Sequence, residues 1–85
     1  MLGGVANSYL KRNDILTWSI YDVIDWLGTM NLRDYEDHFR KHHIDGSVLL
    51  ELNEDNLRHS LKMEKSQDRS RFLRGLRMLK NMGKY

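Results

Sequence analysis

The sequence predicts an all-α fold, a compact five-helix bundle whose last helix is the longest. Three observations carry this expectation. The 85 residues include no proline, so the strongest helix breaker is missing. Apolar residues recur three and four positions apart in segment after segment, the period of a helix face. Short polar or glycine-containing stretches separate these segments, with no strand pattern and no internal repeat.

Residues 1–17 read as an N-terminal lead-in, of which 8–17 hold enough apolar content to pack on a body, partly as helix; residues 18–85 read as the domain. A first helix opens after Trp18, with Ser19 as its N-cap and Asp22 three residues on, where a carboxylate suits the positive helix end. Ile20, Val23, Trp26 and Leu27 follow at helical spacing, and Gly28 reads as the stop.

A second helix begins at Asn31 or Leu32. It turns Leu32, Tyr35 and Phe39 inward and ends on Lys41, His42 and His43, where positive charge suits the dipole. Ile44-Asp45-Gly46 is a turn signal, and Ser47-Val48-Leu49-Leu50 a short helix after it. Asn53 caps a fourth helix that carries Leu57 and Leu61 inward. Ser66 or Gln67 starts the fifth, running to about Met82, with Phe72, Leu76 and Leu79 on one face and bases spread over the other. Leu73 falls among those bases, partly exposed or used in a contact. The expected core is Trp18, Val23, Trp26, Leu27, Leu32, Tyr35, Phe39, Ile44, Leu49, Leu50, Leu57, Leu61, Phe72, Leu76 and Leu79.

Composition narrows the function classes. The chain has no apolar run long enough to span a membrane, and its start lacks the charged flank and long apolar stretch of a signal peptide. Cysteine is absent, which fits a reducing compartment; a cytoplasmic location is expected. The charge is polarised. Residues 18–61 hold nine acids against four bases, a net of −5, and residues 62–85 hold eight bases against two acids, a net of +6.

The ordered string Trp18, Val23, Trp26-Leu27, Leu32, Tyr35, Phe39, Ile44-Asp45-Gly46, Leu49-Leu50, Leu52, Asp55, Leu57, Leu61, Met63, Arg69, Phe72, Leu76 and Leu79 resembles the signature of the sterile alpha motif (SAM) domain. The resemblance covers roughly residues 17–82. Ser66-Gln67-Asp68-Arg69 is similar to the helix-five start of neurabin-type scaffolds. The spread of Phe72, Leu73, Leu76, Leu79 and Tyr85 is similar to SARM-type proteins. Many family members carry glycine where this chain has Lys62, just before Met63.

The resemblance implies a binding module of a larger signalling or scaffold protein, without catalysis or cofactor, whose partner is another SAM domain, of its own kind or a different one. Such domains join an acidic mid-loop surface to a basic end-helix surface. Carried over, the mid-loop residues are Asp34, Asp37, Asp45, Glu51, Glu54 and Asp55, and the end-helix residues are Lys62, Met63, Lys65, Arg69 and Leu73. Met63 and Leu73 are the expected apolar centre.

Other chemistries have weaker support. RNA-hairpin binding through Lys62, Lys65, Arg69, Arg71 and Arg74 is the alternative, but specific RNA reading usually needs exposed stacking aromatics. His38 and His42 share a helix face, yet with no cysteine and no HExxH pattern they read as histidines of a helix's last turn, and no metal site is expected. Nothing sets a nucleophile beside a base.

Overall fold

The structure, a computed structural model, describes residues 14–83, with side chains through residue 81. A 3-10 turn at Ile15–Thr17 precedes α1 (Ile20–Thr29). A second 3-10 turn at Arg33–Tyr35 runs into α2 (Glu36–Lys41). The chain continues through α3 (Gly46–Leu49), the π-wound α4 (Asn56–Ser60) and the long α5 (Ser66–Gly83). No strand occurs among the described residues.

Side chains start three of these helices. Ser19 and Asp22 form a reciprocal capping box on α1, the Ser19 hydroxyl accepting from the Asp22 N–H and the Asp22 carboxylate from the Ser19 N–H at 2.9 Å. Asp45 caps α3 by accepting from the Val48 N–H at 3.1 Å. Asn53 and Asn56 cap each other's backbone at the start of the α4 region.

Three helices end in the same way. Asn31, His43 and Lys62 take positive φ (62°, 54° and 57°), and none is a glycine. After α1, the Asn31 N–H donates to Gly28 O and the Leu32 N–H to Leu27 O. After α2, the His43 N–H donates to Arg40 O and the Ile44 N–H to Phe39 O. Both are Schellman closures, which satisfy the helix's orphan carbonyls. After the π-wound α4 the closure is one residue wider, the Met63 N–H reaching Leu57 O at 2.8 Å.

In each case the residue after the left-handed one is apolar and buried: Leu32, Ile44 and Met63 are 1%, 4% and 0% exposed. This corrects two expectations. Gly28 does not stop α1, which runs on to Thr29 and reverses at Asn31. Met63 is not surface apolar area but part of the core.

The core joins all five helices. Of the expected set, Trp18, Val23, Leu27, Leu32, Phe39, Ile44, Leu49, Leu57, Leu61, Phe72, Leu76 and Leu79 are buried together. Trp26, Tyr35 and Leu50 are only half-buried against them, for different reasons. Trp26 lies edge-on to Trp18 and Phe72, with ring centres 6.3 and 5.2 Å away, and covers the core rim beside Gly75. Tyr35 keeps its hydroxyl at the rim to donate to Asp68. Leu50 sits at the C-cap of α3, one residue past the fully buried Leu49.

The core also holds residues outside the expected set. Ile24 is buried on α1, and Ile15, in the expected lead-in, is 0% exposed. Ile15 is held from α3: the Gly46 N–H donates to Trp18 O at 3.0 Å, and a Cβ at Gly46 would collide with Ile15 O. Only glycine allows that approach. Residues 1–13 lie outside the described part.

A left-handed backbone costs a residue with a Cβ about 1 kcal/mol, partly offset by the extra chain entropy glycine loses on folding. Lys62→Gly is therefore expected to raise the stability of the domain by up to about 1 kcal/mol. Urea unfolding followed by circular dichroism measures it, and a lower midpoint would contradict the closure described.

Candidate functional site

The expected mid-loop acids spread over the stretch from the second 3-10 turn to the start of α4, and their surroundings differ. Asp34 and Asp37 are exposed, Asp37 pairing with Arg40 at 3.3 Å. Glu36 stands between Arg33 and Arg40, 3.1 Å from each, and the Arg33 hydrogen bond, then that of Arg40, draws its carboxyl below the usual range. Such exposed pairs add little stability. Asp45 is half-buried and committed to its cap. The Val48 N–H, then the Ser47 hydroxyl at 2.9 Å, hold its carboxyl below the ordinary range. Glu51 and Asp55 are exposed with no ion pair among the described residues.

Beside these acids runs an open groove. Ile44, Val48, Leu52 and Leu61 supply its apolar lining, and His42, Glu51, Asn56 and Ser60 its polar lining. Val48 is 37% exposed there.

On the basic side, Lys62 and Lys65 are exposed and Leu73 is half-buried. Arg69 departs from expectation. It is 8% exposed, and its guanidinium is spent inside the domain. Nε donates to Glu54 Oε2 at 3.1 Å; Nη1 donates to Met63 O at 2.9 Å and Glu64 O at 2.8 Å. The expected end-helix contact is thus the fastener of the α4–α5 connection, and the expected mid-loop residue Glu54 is its partner. Burying a guanidinium demands such saturation, because an unpaired buried charge is costly. The spacing of Glu54 and Arg69, fifteen residues apart, gave no signal for this pairing.

A second tie crosses to α5. The Tyr35 hydroxyl donates to Asp68 Oδ2 at 2.5 Å. Burial first, then the Asp68 hydrogen bond, pushes the Tyr35 phenol up to about 12. Arg71, Arg74 and Arg77 are exposed along the outer side of α5. Trp18 and Phe72 are buried, and the exposed aromatic side chain of the described part is Tyr21, on α1 rather than α5. The stacking platform that specific RNA recognition uses is therefore absent from α5 within the described residues.

Among the described residues, no three His, Cys, Asp or Glu side chains come together as a metal site, and no helix is long and apolar enough to cross a membrane.

Residues 15–80 match the family model of the SAM domain (sterile alpha motif), starting at the buried Ile15. The chain belongs to the SAM family. This SAM domain is 40% identical over 68 residues to NAD(+) hydrolase sarm1 of Drosophila melanogaster, covering 80% of the chain and 5% of that protein. It is 37% identical over 77 residues to NAD(+) hydrolase tir-1 of Caenorhabditis elegans, covering 91% of the chain and 8% of that protein. It is 32% identical over 73 residues to NAD(+) hydrolase SARM1 of Danio rerio, covering 86% and 10%. The SAM domain thus spans a tenth or less of these curated relatives, whose names describe the whole proteins. The SARM-type likeness read from α5 agrees with them. A SAM domain is a protein-interaction module.

Two outcomes test the ties to α5. Arg69→Ala is expected to cost about 3 kcal/mol, since it leaves two carbonyls without their donor. Arg69→Lys should recover little, because a single ammonium cannot match the guanidinium fork. Denaturant midpoints of both variants check this. Alkaline stability tests Tyr35. Its folded pKa lies above the ordinary value, so its contribution is complete below pH 10 and declines as pH rises toward about 12. In Tyr35→Phe that part of the decline should vanish from a thermal-melt series across this range.

Proposed function

We propose that this SAM domain acts by binding another SAM domain, of its own kind or a different one, through an acidic central surface and a basic surface at the start of α5, with no catalysis of its own. The observation that carries the reading is the distribution of charge left over after internal pairing. On the acidic side Glu51 and Asp55 remain exposed and outside any ion pair of the described residues; on the basic side Lys62 and Lys65 do. A molecule with both surfaces can make a heterologous contact, which builds rings or open chains. Charge sets encounter and register, while affinity needs an apolar seat.

Burial of Met63 removes one of the two expected apolar residues, so the seat moves. The groove of Ile44, Val48, Leu52 and Leu61 provides apolar area beside Glu51, and half-buried Leu73 remains on the basic side. NAD(+) hydrolysis, the activity in the relatives' names, is on this reading work done elsewhere in a longer protein, with the SAM domain contributing assembly.

Charge reversal in pairs tests the proposal. Glu51→Lys and Lys65→Glu are both exposed changes that spare the Arg69 fastener. In sedimentation velocity over a concentration series, the unaltered domain should gain mass with concentration and lose it with salt. Each variant alone should stay monomeric, and an equimolar mixture should stop at a dimer, one intact surface meeting the other. A domain that is monomeric at every concentration would overturn homotypic association.

A further inference from the structure

We infer that the outer face of α5 docks on an anionic lipid bilayer. This contact is separate from the one proposed above, which takes Lys62 and Lys65, ahead of the helix. The sequence gathers charge of one sign here. No acid follows Asp68 among the 85 residues, whereas Arg69, Arg71, Arg74, Arg77, Lys80 and Lys84 do. Arg69 is spent inside the domain. Helical spacing brings the other arginines together. At about 100° per residue, positions 70, 71, 74, 77, 78 and 81 share one sector of roughly 120°. All six are exposed, while Phe72, Leu76 and Leu79 carry the opposite side of the helix into the core.

The charges of this sector are not neutralised within the domain. Arg74 and Arg77 have no ion pair among the described residues. Arg71 donates from Nη1 to the Met30 carbonyl at 3.3 Å, a contact that leaves its charge uncancelled. Met78 lies in the same sector, one turn from Arg74 and next to Arg77, and is 60% exposed. Bases together with an outward apolar side chain match the boundary of an anionic bilayer. Guanidinium groups pair with lipid phosphate and carboxylate oxygens, and each base held there raises partitioning about fivefold. Lipid headgroups also rearrange to meet long side chains that the fold does not order, and the layer beneath them accepts methionine. Specific RNA recognition would use exposed aromatics, and α5 presents none among the described residues. The apolar face of α5 is committed to the core, so the helix lies on the headgroups and does not enter the bilayer. Charge also sets the orientation. Residues 18–61 carry a net −5 and are repelled by the same surface that attracts α5.

The test is co-sedimentation of the 85-residue chain with two kinds of vesicle, phosphatidylcholine alone and phosphatidylcholine with about 30% phosphatidylserine. The chain should bind the mixed vesicles, leave the neutral ones, and lose binding as salt rises. Arg74→Glu and Arg77→Glu should each lower partitioning at least about tenfold, since each removes one positive charge and adds a negative one. Arg58→Glu makes the same change of net charge at an exposed position on α4, and should alter partitioning by about twofold at most. Met78→Gln keeps the charge and the helix, and should cost about threefold through the lost apolar contact. Far-UV circular dichroism of each variant keeps loss of fold apart from loss of binding. Failure to bind the mixed vesicles, equal binding to neutral ones, or an equal loss in Arg58→Glu would overturn the inference. An RNA hairpin or poly-glutamate bound more tightly than the mixed vesicles, with no effect of Met78→Gln, would assign the face to a different polyanion and also overturn it. The self-association proposed above is read without lipid and stands or falls apart from these results.

Discussion

Short helices leave a large share of their backbone unsatisfied. A helix of six residues has more orphan carbonyls than internal hydrogen bonds. In this domain α2, α3 and α4 are all that short, so the fold depends on how the chain closes each one. The closures after α1, α2 and α4 share one device: a left-handed residue turns the chain, the amide of the residue after it returns to the helix, and that following residue's side chain drops into the core. Leu32, Ile44 and Met63 are thus both the end of a helix and the start of the packing that holds the next one. Hydrogen bonding and burial are satisfied by the same few residues, which is how so small a body reaches a single closed core.

Arg69 extends that economy to the surface. Its guanidinium binds the two carbonyls that follow the α4 closure, Met63 O and Glu64 O, and joins them to Glu54. The orientation of α5 is therefore set by a charged group that the solvent barely reaches. On the interaction proposed above, the charges left for a partner are those the fold does not use. This separates the acids and bases by role better than the count of charges does: Asp45 and Glu54 serve the fold, while Glu51 and Asp55 face outward.

Much of the fold was legible because periodicity and caps are local signals. Ser19 with Asp22, Asp45 ahead of Val48, and the face of Phe72, Leu76 and Leu79 could be read from spacing alone. What could not be read depends on tertiary contact. Gly28 looked like a stop because glycine usually marks one, but Asn31 took the left-handed position and the helix ran through. Ile15 gave no periodic signal, since its burial comes from the close approach of Gly46 across the bundle. Arg69 looked like a surface base because arginine generally is one. Its partners, Glu54 and the carbonyls of Met63 and Glu64, come together only once the α4–α5 connection is folded.

Lys62 now stands at a conflict between two selective demands. Its backbone sits where glycine fits with least strain, and its ammonium belongs to the few cations still free at the start of α5. A glycine there makes a sturdier domain that presents less charge; the lysine makes a weaker domain that presents more. On the interaction proposed above, keeping the strained residue trades rigidity for recognition. On the same reading, a domain with glycine at this turn would have to draw its basic charge from other positions, so a single residue would weigh stability against the choice of partner.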